Sequence, residues 1–207
     1  MDEVVALGRQ DVDDAAWALA RAFHEDPFFA WLWPDPGARA PRVRWLLRLE
    51  LELGRRGGGA VRSSDPGGAA VWFPPGRLPG LMDVVRTGFL AAPLRMGVGP
   101  FARFTRVHGR MARTQETHAP EPHWYLMSIG VDPERQGHGL GSGLVRFGLS
   151  RADAAGVPCY LENSNEGNLP FYEHHGFRVL EAATLGRDGP KEWIMRREPA
   201  PCHDPAV

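Results

Sequence analysis

Between an extended segment and an apolar helical stretch stands VDPERQGHGLGSGLV, residues 131–145, where Gly137, Gly139, Gly141 and Gly143 alternate with larger residues. Glycine weakens strands and helices alike, so such a run needs a reason. With no Cβ atoms in the way, several backbone N–H groups can converge on one anion. The loop also opens a helix, whose first four N–H donors lack intrahelical acceptors and whose dipole is positive at that end. A phosphate fits there. A P-loop would require Gly-Lys-Ser/Thr, but the single lysine is Lys191, and G-x-G-x-x-G fails because Ser142 or Leu144 stands where its third glycine belongs. Q-x-x-G-x-G is present, from Gln136 to Gly141.

A second stretch, LENSNEGNLPFYEHHGF over residues 161–177, places Glu162 at a strand end and passes Asn165 and Asn168 into a short helix carrying Tyr172. Asparagine at such a place is commonly a turn former, and a lone tyrosine commonly packs in a core with its hydroxyl at the rim. The eight histidines raise the question of metal. No H-E-x-x-H or Cys/His ligand spacing occurs, and His174 and His175 point to different helix faces, so no metal site is expected.

Both stretches need elements to carry them. EVVALG reads as a strand, and Val12, Ala15, Ala16, Leu19, Ala20 and Phe23 then recur at helical spacing behind Asp11 and Asp13. Pro27 pushes Asp26 out of the α region and ends that helix, leaving WLWPDPGARAP as an aromatic loop. A second helix is predicted over 39–56, a hairpin over AVRSSDPGGAAVWF, and a pair of packing helices over 81–118 broken near APLRMGVGP. HWYLMSIGV is strand-like, GLVRFGLSRADAAG helical and VPCYLE a strand, an order that implies parallel strands with a right-handed crossover. A closing hairpin follows, from FRVLEAATL and EWIMRR.

At 207 residues the chain can bury roughly 70% of its unfolded surface, enough for one core. One domain is expected over 1–198, with an acceptor-side half at 1–120, a cofactor-side half at 123–197 and a disordered tail at 199–207. A formal charge of −1 argues against nucleic-acid and membrane-surface partners and for small molecules. Cys159 and Cys202 form no C-x-x-C, the amino terminus lacks signal-peptide regions, and no apolar run approaches the ~20 residues of a membrane span. The expectation is a cytoplasmic protein, monomeric or homodimeric.

In this order and spacing the two motifs resemble the GNAT superfamily of N-acetyltransferases, through Gln136, Gly139 and Gly141, then Asn165, Tyr172, Gly176 and Phe177. The second stretch is similar to the puromycin N-acetyltransferases through LE, NLPFYE and GF. The resemblance covers residues 123–197. It implies an α/β (α+β) fold with a mixed, largely antiparallel sheet of six to seven strands, a central splayed parallel pair and helices on both faces.

It further implies acetyl-CoA as co-substrate. The diphosphate would lie on the N–H groups of Gly137, His138, Gly139, Leu140, Gly141 and Ser142, with Gln136 opening the loop. Pantetheine would run along Ile129, Gly130 and Val131, and Asn165, Asn168 and Phe171 are further expected cofactor-binding residues. Tyr172, an ordinary phenol near pKa ~10, would protonate the leaving thiolate, and a backbone N–H near Ile129 would face the oxyanion. Some relatives place a glutamate on the strand before the loop; here Tyr125 stands there, and Glu162 becomes the expected general base, with His123 and His24 as alternatives. Phe23, Asp26, Trp31 and Tyr125 are the expected acceptor-side residues, aromatics and a carboxylate suited to a cationic amine. A small-molecule amine acceptor, a protein or peptide amino terminus, and a non-catalytic acyl-CoA sensor remain open.

Overall fold

A computed structural model describes residues 3–65, 67–77 and 79–200. Its strands are β1 (Val4–Ala6), β2 (Ala60–Ser63), β3 (Gly68–Phe73), β4 (Trp124–Val131), β5 (Cys159–Asn163), β6 (Arg178–Thr184) and β7 (Lys191–Arg197). They form one seven-stranded sheet in the order β1-β2-β3-β4-β5-β7-β6. Every neighbouring pair is antiparallel except β4 and β5. The helices are α1 (Val12–Ala22), α2 (Pro27–Leu32), α3 (Pro36–Gly57), α4 (Leu81–Arg86), α5 (Ala92–Met96), α6 (Val98–His118), α7 (Leu140–Ala155) and α8 (Leu169–His174). Among the described residues no helix is long and apolar enough to cross a membrane.

Two cores flank the sheet. On one side Leu19, Leu47, Leu51 and Phe104 of α1, α3 and α6 cover Ala69, Val71 and Phe73 of β3. On the other, Leu144, Val145 and Leu149 of α7 pack on Trp72, Leu126 and Leu161, and Trp72 Nε1 donates to Leu144 O at 3.2 Å. Gly130 belongs to the first of these layers. A Cβ there would stand 2.8 Å from Leu19 Cδ2 and 3.0 Å from Ala22 Cβ, so its smallness lets α1 lie flush on β4. That is a packing reason, different from the ligand approach expected from the sequence.

The predicted aromatic loop is a correction. Residues 27–32 form α2, because Asp26 accepts from Phe28 N at 2.9 Å and Phe29 N at 3.4 Å and Pro27 sits at the first helical position. Likewise α3 starts at Pro36 rather than 39, with Asp35 capping Gly37 N at 3.0 Å. The 81–118 region is three helices, interrupted at Gly97 with φ +87°. Of the expected tail, 201–207 with Cys202 lies outside the described residues, and Ala200 N donates to Asp153 Oδ1 at 2.7 Å.

The parallel pair is paired only over Trp124↔Cys159, Tyr125↔Tyr160 and Leu126↔Leu161. Beyond Leu126, β4 continues to Val131 against β3 alone, and β5 continues to Asn163 against β7 alone. The two strands therefore part at the centre of the sheet. At the same place the β3–β4 register slips, Val71 facing Ser128 and Trp72 facing Leu126, which leaves Met127 as a bulge residue.

Candidate active site

The parted strands open into a groove of ≈ 640 Å³. One wall is Ile129, Gly130 and Val131 of β4; the floor is Gln136, Gly137 and Gly139 with Leu140, Gly141 and Ser142 of α7; the far wall is Asn165, Asn168 and Phe171, with Tyr172. The expected cofactor-binding set is thus gathered in one place, apart from His138, which is exposed and holds its Nδ1 3.3 Å from Arg135 O.

Local chemistry shapes the loop. Gln136 Nε2 donates to Val131 O at 3.1 Å, tying the loop to the end of β4. Gly137 and Gly139 have φ of +79° and +81°, which side-chain-bearing residues rarely adopt. The first intrahelical bond of α7 runs from Gly143 N to Gly139 O at 3.0 Å. The N–H groups of Leu140, Gly141 and Ser142 precede it and have no acceptor within the helix. Across the groove, Asn165 accepts from Gly167 N at 3.0 Å and opens the turn into α8. Asn163, overlooked in the sequence, locks that turn by donating to Asn165 O at 2.7 Å and accepting from Asn165 N at 3.2 Å.

Tyr172 lines the groove and is buried. Burial first, and the Asp26 charge second, push its hydroxyl well above the ordinary tyrosine range, so it stays a proton donor at neutral pH. Asp26 is buried as the cap of α2 and accepts from Ser164 Oγ at 3.0 and 3.1 Å, pinning α2 to the β5–α8 connection. Burial raises its pKa and these hydrogen bonds oppose the rise.

A smaller cavity of ≈ 100 Å³ shares Phe23 and Asp26 with the groove. Glu50 of α3, His108 and Met111 of α6, Tyr125 and Ser128 of β4, Glu162 of β5 and Glu192 of β7 line it. Burial pushes Glu162 up to about 8; the neighbouring Glu192 charge adds to the rise, and the Tyr125 and Tyr160 phenols oppose it. Glu50 and Glu192 are each raised to about 7, again chiefly by burial. His108 is lowered by burial. Its Nδ1 lies 3.0 Å from Phe104 O, an acceptor only, so Nδ1 carries the proton and Nε2 the free lone pair.

Phe23, Asp26 and Tyr125 of the expected acceptor set meet here. Trp31 does not line either cavity: it packs on Phe28 at 6.4 Å between ring centroids and lies under the Arg103 guanidinium at 5.3 Å. His24 lines neither cavity and lies 3.3 Å from Glu25. His123 belongs to a separate depression with Gln115, to which it is joined at 2.9 Å. Glu50, His108 and Glu192 were missed. Glu50 follows Leu46 and Leu47 by helical spacing on a buried stripe, and Glu192 alternates with buried Ile194; a charge at a core-facing position was the available signal. Among the described residues no group of three or more His, Cys, Asp or Glu side chains is placed to hold a metal ion.

The fold is one that solved acetyltransferase structures share. A Corynebacterium glutamicum structure described as histone acetyltransferase HPA2 and related acetyltransferase superposes with a TM-score of 0.67 at 23% identity, covering 100% of this chain and 99% of that one. Arylalkylamine N-acetyltransferase 2 from Aedes aegypti gives 0.64 at 14% identity, covering 95% and 98%. These two likenesses show the fold. Residues 101–177 match the acetyltransferase (GNAT) family, and a Schizosaccharomyces pombe protein named an uncharacterized N-acetyltransferase is 27% identical over 199 residues, spanning 92% of this chain and 81% of that protein. Residues 101–177 thus resemble a GNAT acetyltransferase domain.

Proposed function

We propose that the protein transfers an acetyl group from acetyl-CoA to a primary amine of a small molecule, by direct attack in a ternary complex. The observation that carries this reading is the junction of the two cavities. A groove with an anion cradle at one end reaches Tyr172, and there it shares Phe23 and Asp26 with a carboxylate-lined cavity. The residues present fit the donor. N–H groups of the α7 first turn and the loop made possible by Gly137 and Gly139 would hold the diphosphate. The edge of β4 beyond Leu126, unpaired on the β5 side, would hold the pantetheine amides as an added strand.

Acetyl-CoA supplies the acetyl group as a thioester. Glu162, raised to about 8, takes the proton of the incoming ammonium. The backbone near Ile129 offers an N–H to the oxyanion. Tyr172, held protonated, gives its proton to the departing thiolate. A cavity of ≈ 100 Å³ favours a small acceptor over a peptide, and the Aedes neighbour is by name an enzyme of small amines.

The test is thiol release from acetyl-CoA across an amine panel, with wild type and Tyr172→Phe. Amine-dependent release should appear in wild type and fall about 100-fold or more in the variant, with unchanged affinity for acetyl-CoA. Binding without turnover of any amine would establish an acyl-CoA sensor instead. Stabilisation by NAD or ATP and none by acetyl-CoA would remove both readings.

A further inference from the structure

The acceptor cavity holds more acid than one amine uses. Asp26, Glu50, Glu162 and Glu192 all line it, with no lysine or arginine among the lining residues. Asp26 is committed, its oxygens accepting from two backbone N–H groups and Ser164. Glu162 has the proton of the reacting amine to take. Glu50 and Glu192 remain.

Glu192 is 1% exposed, and neither of its carboxylate oxygens has a hydrogen-bond partner in the protein. The Ser128 hydroxyl, 8% exposed, lies beside Glu50 and draws its pKa down. The cation nearest in influence to Glu192 is Arg110, which already donates to Thr184 O at 2.7 Å and lies 3.9 Å from Glu181. A buried carboxylate left without donors is costly, and native interiors satisfy such groups. Its missing donors must come from what enters the cavity. Neutral polar groups would satisfy hydrogen bonds but not charge. A cation with N–H donors does both, and Phe23, Phe28 and Tyr125 supply an apolar wall for a short methylene chain.

Resting on the reading of this site as an amine acceptor pocket, we propose that the acceptor carries two cationic nitrogens. Glu50 and Glu192 hold the distal cation of a short diamine or guanidino-amine, and Glu162 faces the nitrogen that is acetylated. The distal charge fixes the molecule along the cavity and orients the other end toward the groove. Its hydrogen bonds persist through the reaction, so they act on kcat/KM mainly through binding.

The experiment compares putrescine with butylamine, matched in carbon chain, on wild type, Glu50→Gln and Glu192→Gln. In wild type kcat/KM for the diamine should exceed that for the monoamine about 100-fold, the worth of two charge-assisted hydrogen bonds. The ratio should fall about tenfold in either variant. Equal rates in wild type, or a ratio untouched by both substitutions, overturns the proposal. If no amine turns over, the acetyltransferase reading fails by itself, and calorimetry of putrescine against butylamine still decides this one. Tighter binding of putrescine, with loss in Glu192→Gln, supports the two-cation cavity; equal or no binding ends it.

Discussion

Replacing Glu192 by Gln should stabilise the fold, and by an amount that depends on pH. The carboxyl is 1% exposed and burial raises it from 4.5 to about 7. Arg110 draws it down and Glu181 pushes it up, both contained in that net value. Below pH 4.5 the group is protonated in both folded and unfolded chains and contributes nothing unfavourable. Between 4.5 and about 7 the unfolded chain ionises while the folded one holds its proton, so stability falls as pH rises; above 7 the loss is complete. At about 1.4 kcal/mol per pH unit, the penalty is about 1 kcal/mol at pH 5 and about 3 kcal/mol at pH 8. Glutamine keeps the shape without the charge. Urea unfolding followed by tryptophan fluorescence should show the variant ahead by those amounts. Thermal midpoints at pH 8 should rise by roughly 6–12 °C for a chain of this size. Glu50 titrates the same way in both proteins and drops out of the difference, whereas Glu162, raised in part by the Glu192 charge, titrates lower in the variant and adds to its gain at high pH. An equal gain at both pH values, or a loss at pH 8, would mean that Glu192 is charged and paired, and the reasoning from its burial would fail. A stabilised variant with a weakened substrate preference is the pattern expected where a destabilising group is kept for its use.

The anion cradle and the general base give two further expectations. Gly139→Ala forces a side chain into φ +81°, which costs about 1–2 kcal/mol; the affinity for CoA by calorimetry should drop about tenfold, and an unchanged affinity would remove the loop from the binding account. With Glu162 at about 8, the rate at subsaturating amine should climb with pH through that value as the carboxyl loses its proton. Glu162→Gln should abolish that limb while lowering the rate; a limb that survives the substitution points to another base, with His108 the first to examine.

What was legible in the sequence was whatever local chemistry enforces. The Gln136–Gly141 loop announced itself because left-handed backbone at two alternate positions requires glycine there. The succession of strands along the chain is readable from apolar runs, and the parallel pair from a crossover of forced handedness. Asp26-Pro27 reads as a cap followed by the first helical residue, yet the aromatic loop expected from Trp31 onward overlaps the end of α2, because six residues are too few for a helical period to show. The acceptor cavity was not legible as a whole, because its carboxylates come from α3, β5 and β7 and only the tertiary fold brings them together. Glu50 and Glu192 each broke a buried pattern, but a single broken position in a helix or strand does not say which cavity it serves.

The bulge at Met127 sits where β4 stops pairing with β5. Strict alternation along β4 would put Tyr125 and Met127 on the α1–α3 side and Ser128 on the α7 side. The bulge instead turns both Met127 and Ser128 toward the acceptor cavity and returns Ile129 and Val131 to the α7 side, where they pack on the core around Leu144. It also adds local twist at the residue after Leu126, the last one that pairs with β5. One inserted residue therefore does two things at one point. It bends β4 away from β5, leaving the edge along which a donor can lie, and it supplies the hydroxyl that faces Glu50. Groove and acceptor cavity both draw on β4, and the change of register between Leu126 and Ser128 decides which of its residues face each.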